Sequence, residues 1–178
     1  MKKFKEQFPK TTIVGVDDFS TGRRDAFDPK KISFYEGSVL DRELLSKIFK
    51  KHKPEYVFHF AALPRVSFSV ENPHQTNNVN VGGTVALLEE SKNHGVKRFI
   101  YSSSSSIYGK AESLPVKEAD HQPNPLSPYA LQKHIGEKYC KMFSDLFGWD
   151  TVSLRYFNVF GPKQYGDSPY STAISAWL

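Results

Sequence analysis

The sequence has one cysteine, Cys140, in 178 residues. A single cysteine excludes an internal disulfide and suits a reducing compartment, so we expect a cytoplasmic protein. No apolar run approaches the ~20 residues that a membrane-spanning helix needs. The lysine-rich start also lacks the apolar core of a signal peptide. These absences favour a globular protein that makes no contact with a membrane.

The sequence also has little concentrated charge. Its 24 basic and 19 acidic residues give a net charge of +5, and the basic residues are spread out except near the N-terminus. A nucleic-acid partner would require a basic stripe with interleaved aromatics, so we expect none. The cysteine and the six histidines lack the spacing of metal ligands, which predicts no metal site. The mild positive charge favours anionic ligands such as dinucleotides and sugar nucleotides.

A glycine-rich turn is missing as well. Dinucleotide-binding folds open with a strand and a glycine-rich turn that holds the pyrophosphate at a helix N-terminus. An acidic residue follows about 20 residues later. Asp17 stands in that acidic position, but the 16 residues before it contain no strand with such a turn. We therefore expect the chain to begin inside the first helix of a fold of this type.

The apolar pattern alternates between strands and helices. Short apolar runs predict strands at 12–16, 32–37, 56–61, 98–101 and 151–157. Helical patterns occupy about 1–8, 41–51, 74–94 and 128–147, the last two ending at glycines. This alternation predicts parallel βαβ units in an open, doubly wound, Rossmann-like α/β sheet. Ligands of such sheets bind beyond the carboxyl ends of the strands, where Asp17, Ser38, Ala61, Ser104 and Asn158 fall.

One stretch has the residue types of acid–base chemistry. Ser127-Pro128 opens a helix, since serine caps the exposed amides and proline suits the first helical position. Tyr129 and Lys133 then lie one turn apart on the same helix surface. A neighbouring ammonium favours ionisation of the phenol, so we expect a lowered pKa for Tyr129. Ser104, at the end of the preceding strand, has a hydroxyl that could direct a substrate oxygen toward Tyr129.

Taken alone, Tyr-x-x-x-Lys is more often a solvated helix with a half-buried tyrosine. Four other segments occur with it in a fixed order. The five are His59-Phe60-Ala61-Ala62, Asn80-Val81-Gly82-Gly83-Thr84, Ser102 to Gly109, Ser127 to Lys133, and Arg155 to Pro162. As a set, the segments make nearly the whole chain resemble the extended short-chain dehydrogenase/reductase superfamily. Within it, the chain is similar to nucleotide-sugar 4-epimerases of the NAD-dependent epimerase/dehydratase family.

The resemblance implies NAD as a bound cofactor, a UDP-sugar substrate, and a homodimer built on two long helices from each chain. It implies the catalytic residues Ser104, Tyr129 and Lys133. Besides Tyr129 and Lys133, the implied cofactor contacts are Asp17, Asp18, Ser38, Val39, Phe60, Ala61, Ala62, Leu63, Asn80, Tyr156 and Phe157. Besides Ser104 and Tyr129, the implied substrate contacts are Arg65, Val66, Ser105 and Asn158. Ser38 departs from the family, whose epimerases often have aspartate there.

Some of these residues have a second interpretation. Asp17 either binds a ribose hydroxyl, which favours NAD over NADP, or forms an Asx turn. Arg23 and Arg24 leave NADP as a lesser alternative, although solvated arginines are the simpler interpretation. Asn80 lies mid-helix, which is unfavourable for asparagine, so it has either a buried role near the cofactor or a contact with the neighbouring loop.

The residues after Ser104 indicate which reaction is favoured. Related sugar dehydratases have an Asp-Glu pair there and related decarboxylases have a glutamate, whereas this chain has Ser105 and Ser106. Without a carboxylate, simple oxidation and reduction at C4 of the sugar remains. Three hypotheses follow: a UDP-hexose 4-epimerase, a sugar-nucleotide reductase or dehydrogenase with the same trio, and a non-catalytic chain.

The resemblance also predicts the domain organisation. Residues 1–162 form an incomplete NAD-binding domain, and residues 163–178 begin a substrate-binding lobe. In the family's sheet order, the first strand lies between the strand that ends at Asp17 and the strand that ends near His59. Its absence therefore predicts an opening in the middle of the sheet rather than a trimmed edge.

Overall fold

The computed structural model describes residues 2–26, 28, 32–110, 114–119 and 122–161. The predicted start of a substrate lobe at 163–178 lies outside these residues. The strands are β1 Val14–Asp17, β2 Ser33–Glu36, β3 Tyr56–His59, β4 Arg98–Ser104 and β5 Asp150–Tyr156. The α-helices are α1 Lys2–Gln7, α2 Arg42–His52, α3 Val66–Glu71, α4 Pro73–Asn77, α5 Gly83–Asn93 and α6 Pro128–Phe147. Short 3₁₀ turns occupy Arg24–Ala26 and Ser105–Tyr108.

All strand pairs in the described part of the chain are parallel, and they form two sheets. β1 pairs with β2, and β3, β4 and β5 pair in that order. The predicted opening is therefore present, because β1 and β3 belong to different sheets. Phe58 lies on the strand beside the opening and is 52% exposed. The apolar run that predicts this strand is typical of strands that are buried. The Phe58 ring meets Phe4 of α1 edge-on, with ring centres 6.5 Å apart.

The core lies between the three-stranded sheet and the helices. Phe99 and Tyr101 of β4 are fully buried and pack with Leu88 of α5 and Cys140 of α6. Alternate residues of β4 point into this cluster, because successive side chains of a strand face opposite sides of the sheet. The carboxyl end of β4 is thereby held at a fixed depth beneath α6.

Helix α6 begins and ends where the sequence predicts. The Ser127 hydroxyl accepts a hydrogen bond from the Ala130 amide at 3.1 Å, and Pro128 takes the first helical position. Gly148 ends the helix with φ of 59°, a left-handed conformation that glycine adopts without steric cost. The predicted positions of Tyr129 and Lys133 in the first two turns are therefore correct.

The predicted helix over 74–94 is confirmed as an uninterrupted helical run, but it contains a π-helical turn that the sequence did not predict. The structure has α4, a π-helical turn at Asn78–Gly82, and α5. In addition, α3 forms between the predicted third strand and the predicted helix at 74–94, where the sequence predicted no helix. The π turn places the Asn80 side chain against Leu63, where it bonds to both the backbone amide and the carbonyl. These two bonds link the π turn to the loop after β3.

Gly136 is required for the close approach of α6 to β4. A Cβ atom at this position would lie 2.2 Å from Tyr101 Oη and 2.4 Å from Tyr101 Cζ. We expect Gly136→Ala to lower the free energy of unfolding by about 1–3 kcal/mol, because the buried ring cannot move aside without strain. Urea denaturation measures this loss. Gly95→Ala is the control, because a Cβ added at Gly95 would meet no heavy atom within 4 Å. The φ of 69° at Gly95 adds only a local backbone cost.

Candidate active site

A cleft of about 1000 Å³ opens at the carboxyl ends of β4 and β5. Of the predicted site residues, Phe60, Val66, Ser104, Ser105, Tyr129, Tyr156, Phe157 and Asn158 line it. Tyr108, Gly109, Leu114 and Val116 also line it and were not assigned from the sequence. A cleft of this volume at this edge of a parallel sheet is where ligands of doubly wound folds bind.

The hydroxyls of Ser104 and Tyr129 meet inside the cleft. Ser104 Oγ accepts hydrogen bonds from the Ser106 amide at 3.2 Å and from the Ser106 hydroxyl at 2.9 Å. With both of these bonds accepted, Ser104 has its own hydrogen to donate to the oxygen of Tyr129, to which it is hydrogen-bonded. The backbone amide of Tyr129 donates to the buried Ser69 hydroxyl at 3.1 Å. Both ends of the tyrosine are therefore fixed.

Lys133 lies beneath this pair rather than in the cleft wall. Its side chain is buried, and Nζ donates to the backbone carbonyl of Ser102 at 2.8 Å. Nζ is 5.1 Å from the ring centre of Tyr101 and 5.9 Å from that of Tyr129. Burial lowers the pKa of Lys133 to about 8. Burial of the ring and, to a lesser extent, the Lys133 ammonium lower the pKa of His59 to about 3, so His59 is neutral.

The expected lowering of the Tyr129 pKa is wrong for the chain by itself. Burial raises the pKa of Tyr129, and the hydrogen bond from Ser104 opposes that rise. The Lys133 ammonium is directed to the Ser102 carbonyl, and its own positive charge is disfavoured by burial. Tyr129 is therefore a neutral phenol here, with Ser104 as the group that favours its ionised form.

Asn80 is buried, with 1% of its surface exposed, and belongs to a polar network. Besides its two bonds to Leu63, its Nδ2 donates to Gln132 Oε1 at 2.8 Å, and Gln132 Nε2 donates to Thr76 Oγ1 at 2.9 Å. These contacts match the second interpretation of Asn80, a contact with the neighbouring loop. Gln132 precedes Lys133, so the network joins the loop after β3 to the helix that carries the predicted trio.

The segment after β3 is only partly in the cleft wall. Phe60 is exposed there, whereas Leu63 is buried with its backbone held by Asn80. Ala61 and Ala62 lie between them and are half-buried. Arg65 is exposed at the N-cap of α3 and is not among the cleft residues.

The predicted adenosine contacts lie on the smaller sheet. Asp17 Oδ1 accepts from the Phe19 amide at 2.7 Å, and Asp18 Oδ1 accepts from the Ser20 amide at 2.9 Å. Both aspartates thus form Asx turns, and each carboxylate has a second oxygen that can accept a ligand hydroxyl. The side chain of Val39 is buried against Gly83, which leaves only its backbone for a cofactor contact. Ser38 Oγ accepts from the Leu40 amide at 3.2 Å.

An ion pair between Glu137 and Arg155 lies behind the cleft and was not identified from the sequence. Glu137 of α6 accepts two hydrogen bonds from Arg155 of β5 at 2.8 Å and one from the Ser103 hydroxyl at 2.6 Å. Arg155 lies over the ring of Tyr108, 4.8 Å from its centre, and Tyr108 stacks on Phe157. These bonds with Arg155 and Ser103 lower the pKa of Glu137 despite its burial. Glu137 follows Lys133 by four residues, and this i, i+4 spacing could have indicated that both side chains lie on the same face of α6.

The chain matches the family described as "NAD dependent epimerase/dehydratase family" over residues 3–178. The chain belongs to this family. A UDP-glucose 4-epimerase of Mycolicibacterium smegmatis is 38% identical over 157 residues, which cover 85% of this epimerase-family chain and 50% of that protein. The UDP-glucose 4-epimerase of Thermotoga maritima, solved with UDP-glucose, has a TM-score of 0.87 and 36% identity, covering 93% of this chain and 54% of that one.

A second solved structure is the UDP-N-acetylglucosamine 4-epimerase of Methanobrevibacter ruminantium in complex with UDP-N-acetylmuramic acid. It has a TM-score of 0.85 and 38% identity, and it covers 92% of this chain and 53% of that one. These likenesses confirm the predicted family and the doubly wound α/β fold. This epimerase-family chain spans about half the length of the curated relatives it matches.

The family is NAD-dependent, and the residues of this chain fit the two ends of that cofactor. At the adenosine end, Gly22 leaves room beside Asp17, because a Cβ there would lie 3.2 Å from Asp17 Oδ1. At the nicotinamide end, Lys133 and Tyr129 present an ammonium and a phenol near the cleft. For the pyrophosphate between them, the residues before Asp17 provide no glycine-rich turn.

Two features are absent from the part of the chain that the structure describes. No helix in that part of the chain is long and apolar enough to cross a membrane. No group of three or more histidine, cysteine, aspartate or glutamate side chains in the same part could hold a metal ion.

Proposed function

We propose that the whole protein is an NAD-dependent 4-epimerase of UDP-hexoses that works through a 4-keto intermediate. The observation that carries this proposal is the hydrogen-bonded pair of Ser104 and Tyr129 in one cleft, with Lys133 one helical turn below. Relatives named as UDP-glucose and UDP-N-acetylglucosamine 4-epimerases support the same activity. Both the activity and the UDP-sugar substrate are proposed for the whole protein, since the chain covers about half of these relatives.

In this proposal, each residue of the trio has a defined task. The neutral phenol of Tyr129 first loses its own proton to solvent, and Ser104 donates a hydrogen bond that favours the resulting phenolate. The phenolate oxygen then takes the proton of the C4 hydroxyl. Lys133 holds ribose hydroxyls of the cofactor and adds positive charge on the same side of the ring. Bound NAD supplies the hydride acceptor and returns the hydride, so it is a resident cofactor rather than a consumed substrate.

Two serines next to Ser104 support epimerisation over elimination. Ser105 and Ser106 occupy the loop that enters the cleft, and the Ser106 hydroxyl bonds to Ser104. A serine hydroxyl cannot serve as the acid and base that loss of water requires at neutral pH, because its proton is too weakly acidic. The chemistry that this loop supports is therefore transfer of a proton and a hydride at one carbon.

The test is an assay of the whole protein with UDP-glucose, UDP-N-acetylglucosamine or UDP-glucuronate. The expected result is formation of the C4 epimer without net change in absorbance at the wavelength of NADH. Net accumulation of NADH would instead favour a sugar-nucleotide dehydrogenase with the same trio. No turnover of any UDP-sugar would leave the third hypothesis, a non-catalytic chain.

We further propose a homodimer whose interface contains α5 and α6 of each chain, in a cytoplasmic location that suits the single, buried Cys140. Support comes from an exposed apolar stripe on α6. It comprises Leu131, Met142, Leu146 and Phe147, of which Leu146 is 67% exposed. Leu131, Met142 and Leu146 recur at helical spacing along one side, which is typical of a face that another helix covers.

Leu146→Glu tests this interface. A carboxylate within an apolar helix interface would be buried without a partner, so we expect at least a tenfold weaker dimer. Analytical ultracentrifugation over a concentration series measures the dissociation constant. Lys141→Glu is the matched control, because Lys141 is exposed on the same helix and pairs with Asp145 instead. Equal dimer stability in both variants would place the interface elsewhere.

A further inference from the structure

The end of β2 has a carboxylate directly beside the predicted adenosine site. β1 and β2 are parallel and in register, so Glu36 is the strand partner of Asp17. Both residues are at the carboxyl ends of their strands, and both side chains are exposed. Parallel neighbours lie ~5 Å apart, so two like charges there repel unless a cation lies between or beside them.

Arg24 supplies that cation. Its guanidinium makes two hydrogen bonds to Glu36, one from each terminal nitrogen, at 2.7 and 2.5 Å. It also lies over the ring of Phe19, 4.4 Å from the ring centre. The pair raises the pKa of Arg24 and lowers that of Glu36, so both are charged. The guanidinium is therefore oriented by two partners, one ionic and one aromatic.

NAD and NADP differ by one phosphate on the adenosine 2′-oxygen. Dinucleotide folds that accept this phosphate place an arginine near the end of the second strand, and those that reject it place an acidic residue on the ribose. This chain has both groups, because Arg24 lies within a few residues of Asp17. In the structure, both terminal nitrogens of the guanidinium are hydrogen-bonded to Glu36. A phosphate would have to replace Glu36 and approach a second carboxylate, that of Asp17.

We propose that Glu36 determines the preference for NAD by holding Arg24 away from the 2′-phosphate position. This inference rests on the proposed cofactor role of the adenosine site. It assigns to Glu36 a specificity role that is separate from the hydroxyl contact of Asp17. Because the Arg24–Glu36 pair is solvent-exposed, it is weak, and loss of the carboxylate is expected to release the arginine without unfolding the loop.

The test is Glu36→Gln in the full 178-residue chain. Binding of NAD and of NADP is measured by two-dimensional NMR titration, which detects dissociation constants in the millimolar range. We expect the ratio of NADP affinity to NAD affinity to rise about tenfold, because a charge-assisted bond from arginine to phosphate replaces the ion pair. Affinity for NAD itself is expected to change less than threefold. The thermal midpoint and the spectrum of each variant report whether the fold is kept.

Two controls separate the released arginine from a general loss of negative charge. Asp25→Gln removes an exposed carboxylate that pairs with Arg23 in the same loop, and it is expected to leave the ratio unchanged. The double variant Glu36→Gln/Arg24→Ala is expected to return the ratio to the original value. A gain that persists without Arg24 would overturn the proposal.

The remaining outcomes are also decisive. If NAD binds and Glu36→Gln does not raise the relative affinity for NADP, Glu36 does not determine the preference, and the proposed cofactor role of the adenosine site stands. If neither nucleotide binds to any variant at millimolar concentration, the adenosine site of this chain fails as a cofactor site. The inference about Glu36 then fails with it.

Discussion

Tyr129→Phe is expected to lower kcat for epimerisation in the whole protein by about a thousandfold, the size of a typical general acid–base contribution. Phenylalanine keeps the ring in the same place, because the Tyr129 amide is held by Ser69 and the ring packs in the cleft wall. The change removes one oxygen, to which Ser104 is hydrogen-bonded. Affinity for the UDP-sugar is expected to change less than threefold. The measurements are turnover of the UDP-sugar and calorimetric binding of UDP.

Tyr139→Phe is the matched control for this result. Tyr139 is on the same helix, but it packs against the buried core instead of lining the cleft. It is expected to keep kcat within twofold. Full turnover by Tyr129→Phe would remove Tyr129 from the chemistry and, with it, the proposed mechanism. Equal losses in both variants would indicate a damaged helix.

Lys133→Met is expected to lower kcat/KM at least a hundredfold and, at the same time, to stabilise the fold. Burial lowers the pKa of Lys133 from its ordinary 10.5 to about 8, which means that the folded protein at pH 7 pays for a desolvated ammonium. Each pKa unit corresponds to ~1.4 kcal/mol, and loss of the bond to Ser102 offsets part of the gain, so we expect a net increase of about 1–2 kcal/mol. Urea denaturation at pH 7 measures it.

The pH dependence gives a second readout. Between about pH 8 and 10.5 the unfolded chain holds a proton on this lysine and the folded chain does not, so the contribution of Lys133 to stability rises with pH. Below pH 8 the penalty is fully present. The gain from Lys133→Met is therefore expected to shrink from pH 7 to pH 9. The variant and the unsubstituted chain are compared at each pH, so that the effects of other titrating groups on stability are the same in both and cancel. A gain that is the same at both pH values would mean that Lys133 is not desolvated.

The sequence was most informative where local chemistry decides the structure. The cap at Ser127, the glycine end at Gly148 and the spacing of Tyr129 and Lys133 are all set within α6 itself. The opening in the sheet also followed from the sequence, because family strand order assigns a position to the missing strand. In each case, local backbone geometry or the strand order allows few other structures for the same residues.

The remaining features depend on contacts between distant segments. The π turn contains Asn80, which bonds to Leu63 and to Gln132, a residue 52 positions away in sequence. Likewise, the pKa of Tyr129 depends on how deeply α6 packs on β4, which helical periodicity does not specify. A pair such as Glu137 and Arg155 is visible in a sequence only after the helix and strand have been docked.

The division of the strands into two sheets has a consequence for how the isolated chain behaves in solution. In the described part of the chain, β1 pairs only with β2, and β3 pairs only with β4. Each therefore presents one side of its backbone as a template for another extended segment, and Phe58 adds an exposed aromatic ring beside it. Such edges promote strand addition between molecules. We therefore expect the chain to form fibrils or precipitate at high concentration during purification. A short apolar peptide that pairs with the exposed strand edges is expected to reduce this aggregation.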